Sequence, residues 1–100
     1  MVKKKSKYRH VIINKKKYYF YHIVWLDILG DSGHASAQEF DNMKPAVMNT
    51  YAYIYKKTKK LLLTFSSYDE ENFSDRNVFP MGVVQEIKRI EIWRLKKLIL

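Results

Sequence analysis

Cysteine is absent from this 100-residue chain, so neither a disulfide framework nor a thiolate metal site is available and the fold must rest on hydrophobic packing. A reducing setting is the matching expectation. Long apolar runs are also missing: the amino terminus, MVKKKSKYRH, is basic but leads into no apolar segment with a small-residue cleavage site, and nowhere do about 18 apolar residues follow one another. Neither a signal peptide nor a transmembrane helix is expected. Glycine and proline are scarce, and all five fall at expected turns, Gly30, Gly33, Pro45, Pro80 and Gly82. No internal repeat and no low-complexity linker is present, and the length holds one domain with a modest core. Acids are the last scarcity. Ten stand against nineteen Lys and Arg, giving a net charge of +9 and a pI near 9.7, a balance that favours nucleic acid, nucleotides or a membrane surface as partner.

The distribution of charge says more than the total. Residues 1–17 hold eight of the nineteen basic groups and no acid; Lys56, Lys57, Lys59 and Lys60 form a second cluster, and Lys88, Arg89, Arg94, Lys96 and Lys97 a third. Eight of the ten acids lie between Asp27 and Asp41 or between Asp69 and Asp75, so the chain is dipolar rather than evenly coated.

The chain is organised around YYFYHIVWLDIL, Tyr18 to Leu29, whose aromatic and β-branched residues read as a central strand. Tyr19, Tyr21, Ile23 and Trp25 fall on one face and Phe20, His22, Val24, Leu26 and Ile28 on the other. Both faces are apolar, which calls for burial on both sides or for a partner, and so for a homo-oligomer in a chain this short. Residues 1–7 read as a flexible basic arm, 8–92 as a single small β domain, and 93–100 as an amphipathic tail suited to a short helix.

Tyr8 to Ile13 reads as a first strand, with Asn14 to Lys17 as the turn into the central one. Gly30-Asp31-Ser32-Gly33 is a turn by composition, since Gly supplies positive φ and Asp or Ser bonds the backbone two residues on. Ser36 and Glu39 have capping-box spacing ahead of a short helix, Ala37 to Met43, that Pro45 closes. Phe40 and Met43 would let that helix plug an open end of the sheet. Met48 to Tyr55 and Leu61 to Tyr68 read as a hairpin, Asp69 to Asn77 as a loop, Phe79-Pro80-Met81-Gly82 as a tight turn, and Val83 to Ile92 as a last strand. The expected fold is mainly β, a small SH3-like, partly open barrel with one short helix; an α+β sheet with one helix is the alternative.

The order Trp25-Leu26-Asp27, Gly30-Asp31-Ser32-Gly33, Met43-Lys44-Pro45, Thr50 with an aromatic strand, and Phe79-Pro80-Met81-Gly82 before Val84 and Ile87 resembles a family of small bacteriophage-encoded proteins. Their pattern is W-x-D-x-x-G-D-S-G, a short helix, Pro, a T-x-G-Y-type hairpin and I-P-x-G-x-V-x-x-I. The resemblance covers roughly 18–92; Ala52 and Phe79 replace the usual residues. It implies a viral accessory protein without an assigned activity, working in the host cytoplasm.

Three constellations bear on chemistry. Asp27, Asp31, Ser32 and His34 contain the residue types of a hydrolase, but a triad is recognised by geometry and Gly-Asp-Ser-Gly is first an excellent turn. His10, His22 and His34 lack metal-site spacing, so neither metal nor cofactor is expected. The Tyr51, Tyr53 and Tyr55 stripe beside Lys56, Lys57, Lys59 and Lys60 offers rings for base stacking next to ammonium groups for phosphate, or else packs an interface. Trp25 and the loop residues Asp31, Ser32 and His34 are further candidate ligand contacts. The expected function is a non-enzymatic, counter-defence or host-takeover protein that binds nucleic acid or a nucleotide signal. The alternatives are an inhibitor that docks on a host protein and a small hydrolase acting through Asp31, Ser32 and His34.

Overall fold

A computed structural model describes residues 7–92. Among them the strands are β1 (His10–Ile13), β2 (Lys16–Asp27), β3 (Ala46–Lys57), β4 (Leu61–Phe65), β5 (Ser67–Tyr68), β6 (Phe73–Ser74), β7 (Asn77–Pro80) and β8 (Val84–Arg89). One short helix, α1 (Ala37–Asp41), and a 3-10 turn at Met81–Val83 complete the set. The protein is thus mainly β, as expected, with an antiparallel sheet in the order β1-β2-β3-β4-β7, to which β8 adds by pairing β2; β5 and β6 form a separate pair.

One edge of β2 is shared by two partners. β1 pairs with Lys16–Tyr19 and β8 with Tyr21–Trp25, while β3 occupies the whole opposite edge from Phe20 to Asp27. The handover falls at Phe20, whose amide donates to the Arg9 carbonyl and whose own carbonyl accepts from the Ile90 amide, both at 3.0 Å. Beyond that point the chain before β1 leaves β2 and pairs with the end of β8: Arg9 N–H donates to Ile90 O, and Ile92 N–H to Lys7 O. Lys7, read as part of a free arm, is therefore tied into the sheet.

The alternation along β2 separates two cores. On one face Tyr18 joins Ile13, Tyr53 and Phe65, with Val11, Phe20 and Phe73 packed around them. On the other, Ile23 joins Leu62 and Phe79, with Tyr21, Trp25, Ile54, Met81, Val84 and Ile87 against them. Ile13, Ile23, Leu62 and Phe65 have no exposed surface, and each such side chain contributes about 1.5–3 kcal/mol by leaving water.

Two devices make this double burial workable. β7 pairs β4 and β8 pairs β2, yet only Met81–Val83 separates β7 from β8. The sheet must therefore curl until its two sides nearly meet around the second core. It stays open, because β7 and β8 do not pair with each other, so the expected partly open form holds and no closed barrel is made. Across the first core lies the β5-β6 hairpin, whose Phe73 meets Tyr18, Tyr55 and Phe65 edge-on with ring centroids 4.8–5.5 Å apart.

Several sequence expectations are corrected. The capping box forms, with Glu39 N–H donating to Ser36 Oγ at 3.1 Å, but α1 spans only Ala37–Asp41 and buries no residue. Phe40 is 70% exposed, so the helix is no plug. No glycine has positive φ; the left-handed positions are Asn14, Lys15 and Asp75. Asn14 and Lys15 alone form the two-residue β1-β2 turn, and consecutive positive φ there matches the right-handed twist of the flanking strands. Lys16 and Lys17, read as turn, are strand. Pro80 to Val83 turns by a 3-10 bend rather than through glycine, and the 69–77 loop contains β6. The amphipathic tail helix read over 93–100 lies outside the described residues.

Replacing Ile23 with Ala is expected to cost about 2–5 kcal/mol of unfolding free energy, because the curled sheet cannot collapse onto the void. Phe40→Ala is expected to change it by no more than ~0.5 kcal/mol. Chemical denaturation of both variants checks the pair; equal losses would restore the plug.

Burial raises the Tyr18 phenol above its ordinary value, with Tyr55 adding to the rise, and burial likewise raises Tyr53 against the opposing effect of Arg9. Both phenols are harder to ionise in the folded chain than in the unfolded one. Their contribution is therefore fully present below the unfolded value of about 10 and is lost as pH climbs through the raised folded values. Thermal melts are expected to hold steady near pH 8–9 and to fall above about pH 10.

Candidate functional site

Register decides where the charges go. β2 and β3 are antiparallel, so the start of β2 with Lys16 and Lys17 lies at the same end of the sheet as the finish of β3 with Lys56 and Lys57. Lys59 and Lys60 follow in the β3-β4 turn; β8 stops short of that end, with Arg89 opposite Tyr21 and Lys88 opposite His22 near the middle of β2, although the Arg89 guanidinium reaches back over the Tyr19 ring. Asp27 pairs with Ala46 at the opposite end, and Asp31, Glu39 and Asp41 sit on the connection between them. The charge segregation written along the chain thus becomes a dipole along the strands. Of the remaining acids, Glu86 lies opposite Val24 and Glu91 opposite Tyr8, and the 69–75 group reaches the basic end: Asn14 Nδ2 donates to Glu71 O, which brings the Asp69–Asn72 turn against the tip of the β1-β2 hairpin. In that turn Asp69 accepts the amides of Glu71 and Asn72, bonds that hold its carboxyl below the usual range.

The tyrosine stripe does not survive folding as one surface. Tyr53 is only 3% exposed; its ring stacks on Phe65, and its hydroxyl accepts from Arg9 Nε at 3.1 Å. Tyr51 lies over His22 with ring centroids 4.6 Å apart and planes at 8°, while His22 Nε2 donates to Asn49 Oδ1. Tyr55, at a bulge between Ile54 and Lys56, stays on that face: it stacks on Tyr18 and meets Phe73 edge-on. The three rings share the face of Tyr18, Phe20 and His22, and what divides them is cover: Tyr53 is core, while Tyr51 and Tyr55 stay part-exposed on either side of it.

Tyr55 opens instead onto a cleft of about 520 Å³, within the ~300–1,000 Å³ range of small-molecule sites. Leu63 and Val78, paired across β4 and β7, form its floor; Phe65 and Phe73 wall it, and Arg76 and Asn77 stand at its edge. Lys56 is the β3 partner of Leu63, so it borders the same face. Of these residues only Tyr55 and Lys56 were legible as candidates, because the others are brought together by the β5-β6 hairpin and the left-handed turn at Asp75.

A second aromatic and cationic cluster was missed for the same reason. The Arg89 guanidinium lies 4.0 Å from the centroid of the Tyr19 ring and 5.2 Å from that of Tyr8, and its Nε and Nη2 donate to the Tyr21 hydroxyl at 3.3 and 3.0 Å. His10 packs edge-on to Tyr19 and Lys17 stands over it. These residues come from β1, β2 and β8, and only the shared edge of β2 makes them neighbours. Guanidinium carries five N–H groups, and the two bonds to Tyr21 leave the others for a ligand.

Trp25 is a structural residue more than a ligand contact: its ring meets Phe79 edge-on and Nε1 donates to Thr50 Oγ1 at 2.9 Å, at the rim of an open cleft of about 400 Å³. Asp31, Ser32 and His34 are all exposed, and Asp31 Oδ1 accepts the Gly33 amide at 2.8 Å, which makes the loop an Asx turn. No hydrogen bond links Asp31, Ser32 and His34 to one another, so the hydrolase reading gains no nucleophile-base pair. Among the described residues, no group of three or more His, Cys, Asp and Glu could hold a metal ion, and no helix is long and apolar enough to cross a membrane.

Tyr53→Ala is expected to destabilise the protein by about 3–5 kcal/mol through loss of a core ring, whereas Ser32→Ala and His34→Ala should each stay within ~0.5 kcal/mol. Urea titrations distinguish the two classes, and a folded, fully stable Tyr53→Ala protein would contradict the packing assigned to this ring. No family model matches the chain, and neither a curated protein nor a solved structure matches it.

Proposed function

We propose that the protein is a non-enzymatic binder of a phosphate-bearing ligand, single-stranded nucleic acid or a nucleotide, with the basic end of the sheet as its contact surface. The observation that carries this reading is the register itself, which gathers Lys16, Lys17, Lys56 and Lys57 at one end, with the Arg89 guanidinium reaching back to Tyr19, and sends Asp27 and its neighbours to the other. Phosphate contacts supply sequence-independent affinity, and half-exposed rings beside them supply stacking. Tyr55 and the Tyr8-Tyr19-Arg89 group provide such rings on either side of the lysines. In the phage setting implied by the sequence resemblance, the ligand would be viral or host nucleic acid, or a nucleotide signal of the host's defence.

A second reading, docking on a host protein, is favoured by a separate observation. At the acidic end Ile28 is 88% exposed and Leu29, Phe40 and Val47 are also exposed, an apolar surface that phosphate binding leaves unused. Light scattering that returns the 12.1 kDa monomer mass would remove self-association as the use of this surface and leave a foreign protein.

Affinity for single-stranded oligonucleotides is expected to fall steeply with salt. Exchanging Lys57 and Lys59 for Gln should flatten the slope of log K against log salt by about 0.7 for each phosphate no longer neutralised. Fluorescence anisotropy across a salt series reads this directly. Binding that ignores salt, or that the double variant leaves unchanged, would overturn the phosphate reading and favour protein docking.

A further inference from the structure

We infer that the cleft beside Tyr55 is a subsite for a single flat ring carrying a phosphate, the base of a mononucleotide or of one nucleotide in a strand; this rests on the phosphate-binding reading and names where a base would sit. This cleft combines a concavity and aromatic walls with cations that have no ion-pair partner among the described residues. Leu63 and Val78 give it an apolar floor on the outer face of the sheet, and Val78 is 58% exposed there. Tyr55 and Phe73 stand edge-to-face at 5.0 Å, and 42% of Tyr55 remains open to solvent for a ring to cover. Such an arrangement has a face for stacking and an edge for closing the side of the slot.

The charges fix the other half of the ligand. Arg76 enters the cleft edge directly after Asp75, whose φ of 51° turns the chain and whose carboxylate accepts the Ser67 hydroxyl. That hydrogen bond holds one oxygen of the adjacent acid, and no ion pair joins Arg76 to an acid among the described residues, so its fork is open to a planar anion, the geometry in which guanidinium holds phosphate. Lys56 approaches from the paired strand on the Leu63 side. A ring seated on the floor would therefore have cations on two sides, one forked and one a point charge. The Trp25 cleft lacks this: Asp27 is its charged residue, and the Trp25 N–H is already bonded to Thr50. An anion is disfavoured there.

The experiment uses the whole chain and three probes: adenosine monophosphate, ribose 5-phosphate, and a single-stranded homopolymer. The monophosphate should bind at least tenfold more tightly than ribose 5-phosphate, and in methyl spectra it should shift Leu63 and Val78 before Ile23 or Ile87. Arg76→Gln, an exposed change that leaves the cores intact, should weaken monophosphate binding severalfold. Tyr55→Ala should weaken it ten- to a hundredfold, the range expected for removal of a stacking ring. Because Tyr55 also packs on Tyr18, its variant counts only with an unchanged far-ultraviolet spectrum, and the Arg76 variant and the methyl shifts stand without it. Equal binding of the two small phosphates, absent binding of the monophosphate, or shifts outside the cleft would overturn the subsite. If the homopolymer still binds with a steep salt dependence in those cases, only the cleft assignment falls; if it does not bind at all, the broader reading falls with it.

Discussion

Everything in the structure answers to one constraint, that β2 is apolar on both faces for most of its length. A strand alternates sides at every residue, so Tyr18 and Phe20 cannot share a core with Ile23 and Trp25. One sheet with water on its back would leave one set exposed. This chain builds two cores on opposite faces, displaced along the strand: Ile13, Tyr18, Tyr53 and Phe65 near its start, and Ile23, Leu62 and Phe79 further on. The displacement lets different segments cover each face, the β5-β6 hairpin over the first and the curl closed by Met81–Val83 around the second. Apolar surface beyond these cores stays exposed, notably at Val47, Ile28 and Leu29.

The irregularities of the backbone follow from that arrangement. The bulge at Tyr55 lets β3 serve β4 after it has left β2, and the irregularity opposite Val24 and Trp25 lets β8 follow the curl. Bulges raise local twist, which a curling sheet requires. The same features fix the candidate site. Tyr55 keeps to the Tyr51-Tyr53 face, and the bulge brings Lys56 onto that face as well, opposite Leu63, where the two border the cleft that Arg76 also lines. Burial of both faces and the making of a ligand-sized concavity are thus one event rather than two.

The electrostatics have an equally mechanical origin. Antiparallel pairing places the start of one strand beside the finish of the next, so lysines written at the beginning of β2 and the end of β3 become neighbours although 39 positions separate Lys17 from Lys56. Repulsion among them destabilises the folded protein modestly. The acidic Asp69–Asn72 turn offsets part of that repulsion at the tip of the β1-β2 hairpin.

The sequence by itself determined the class of fold, the central strand, the capping box at Ser36 and Glu39, the Asx turn at Asp31 and the dipolar charge. Each of these is local, written in period, composition or a spacing of two or three residues. It misplaced the role of Phe40, because a helix signal says where a helix starts and nothing of what it packs on. It placed Tyr51, Tyr53 and Tyr55 on one face, which holds, but read all three as open surface, because alternation cannot register a hairpin folding over one ring of the three. Tertiary structure alone decided that Tyr53 is core, that Arg89 lies on Tyr19 at the shared edge of β2, and that Leu63, Phe73, Arg76 and Val78 enclose a cleft with Tyr55. The physical reason is the same in each case: these neighbours are set by long-range register and curl, which depend on how two apolar faces of one strand are buried together, and no short window of sequence holds both sides of that contact.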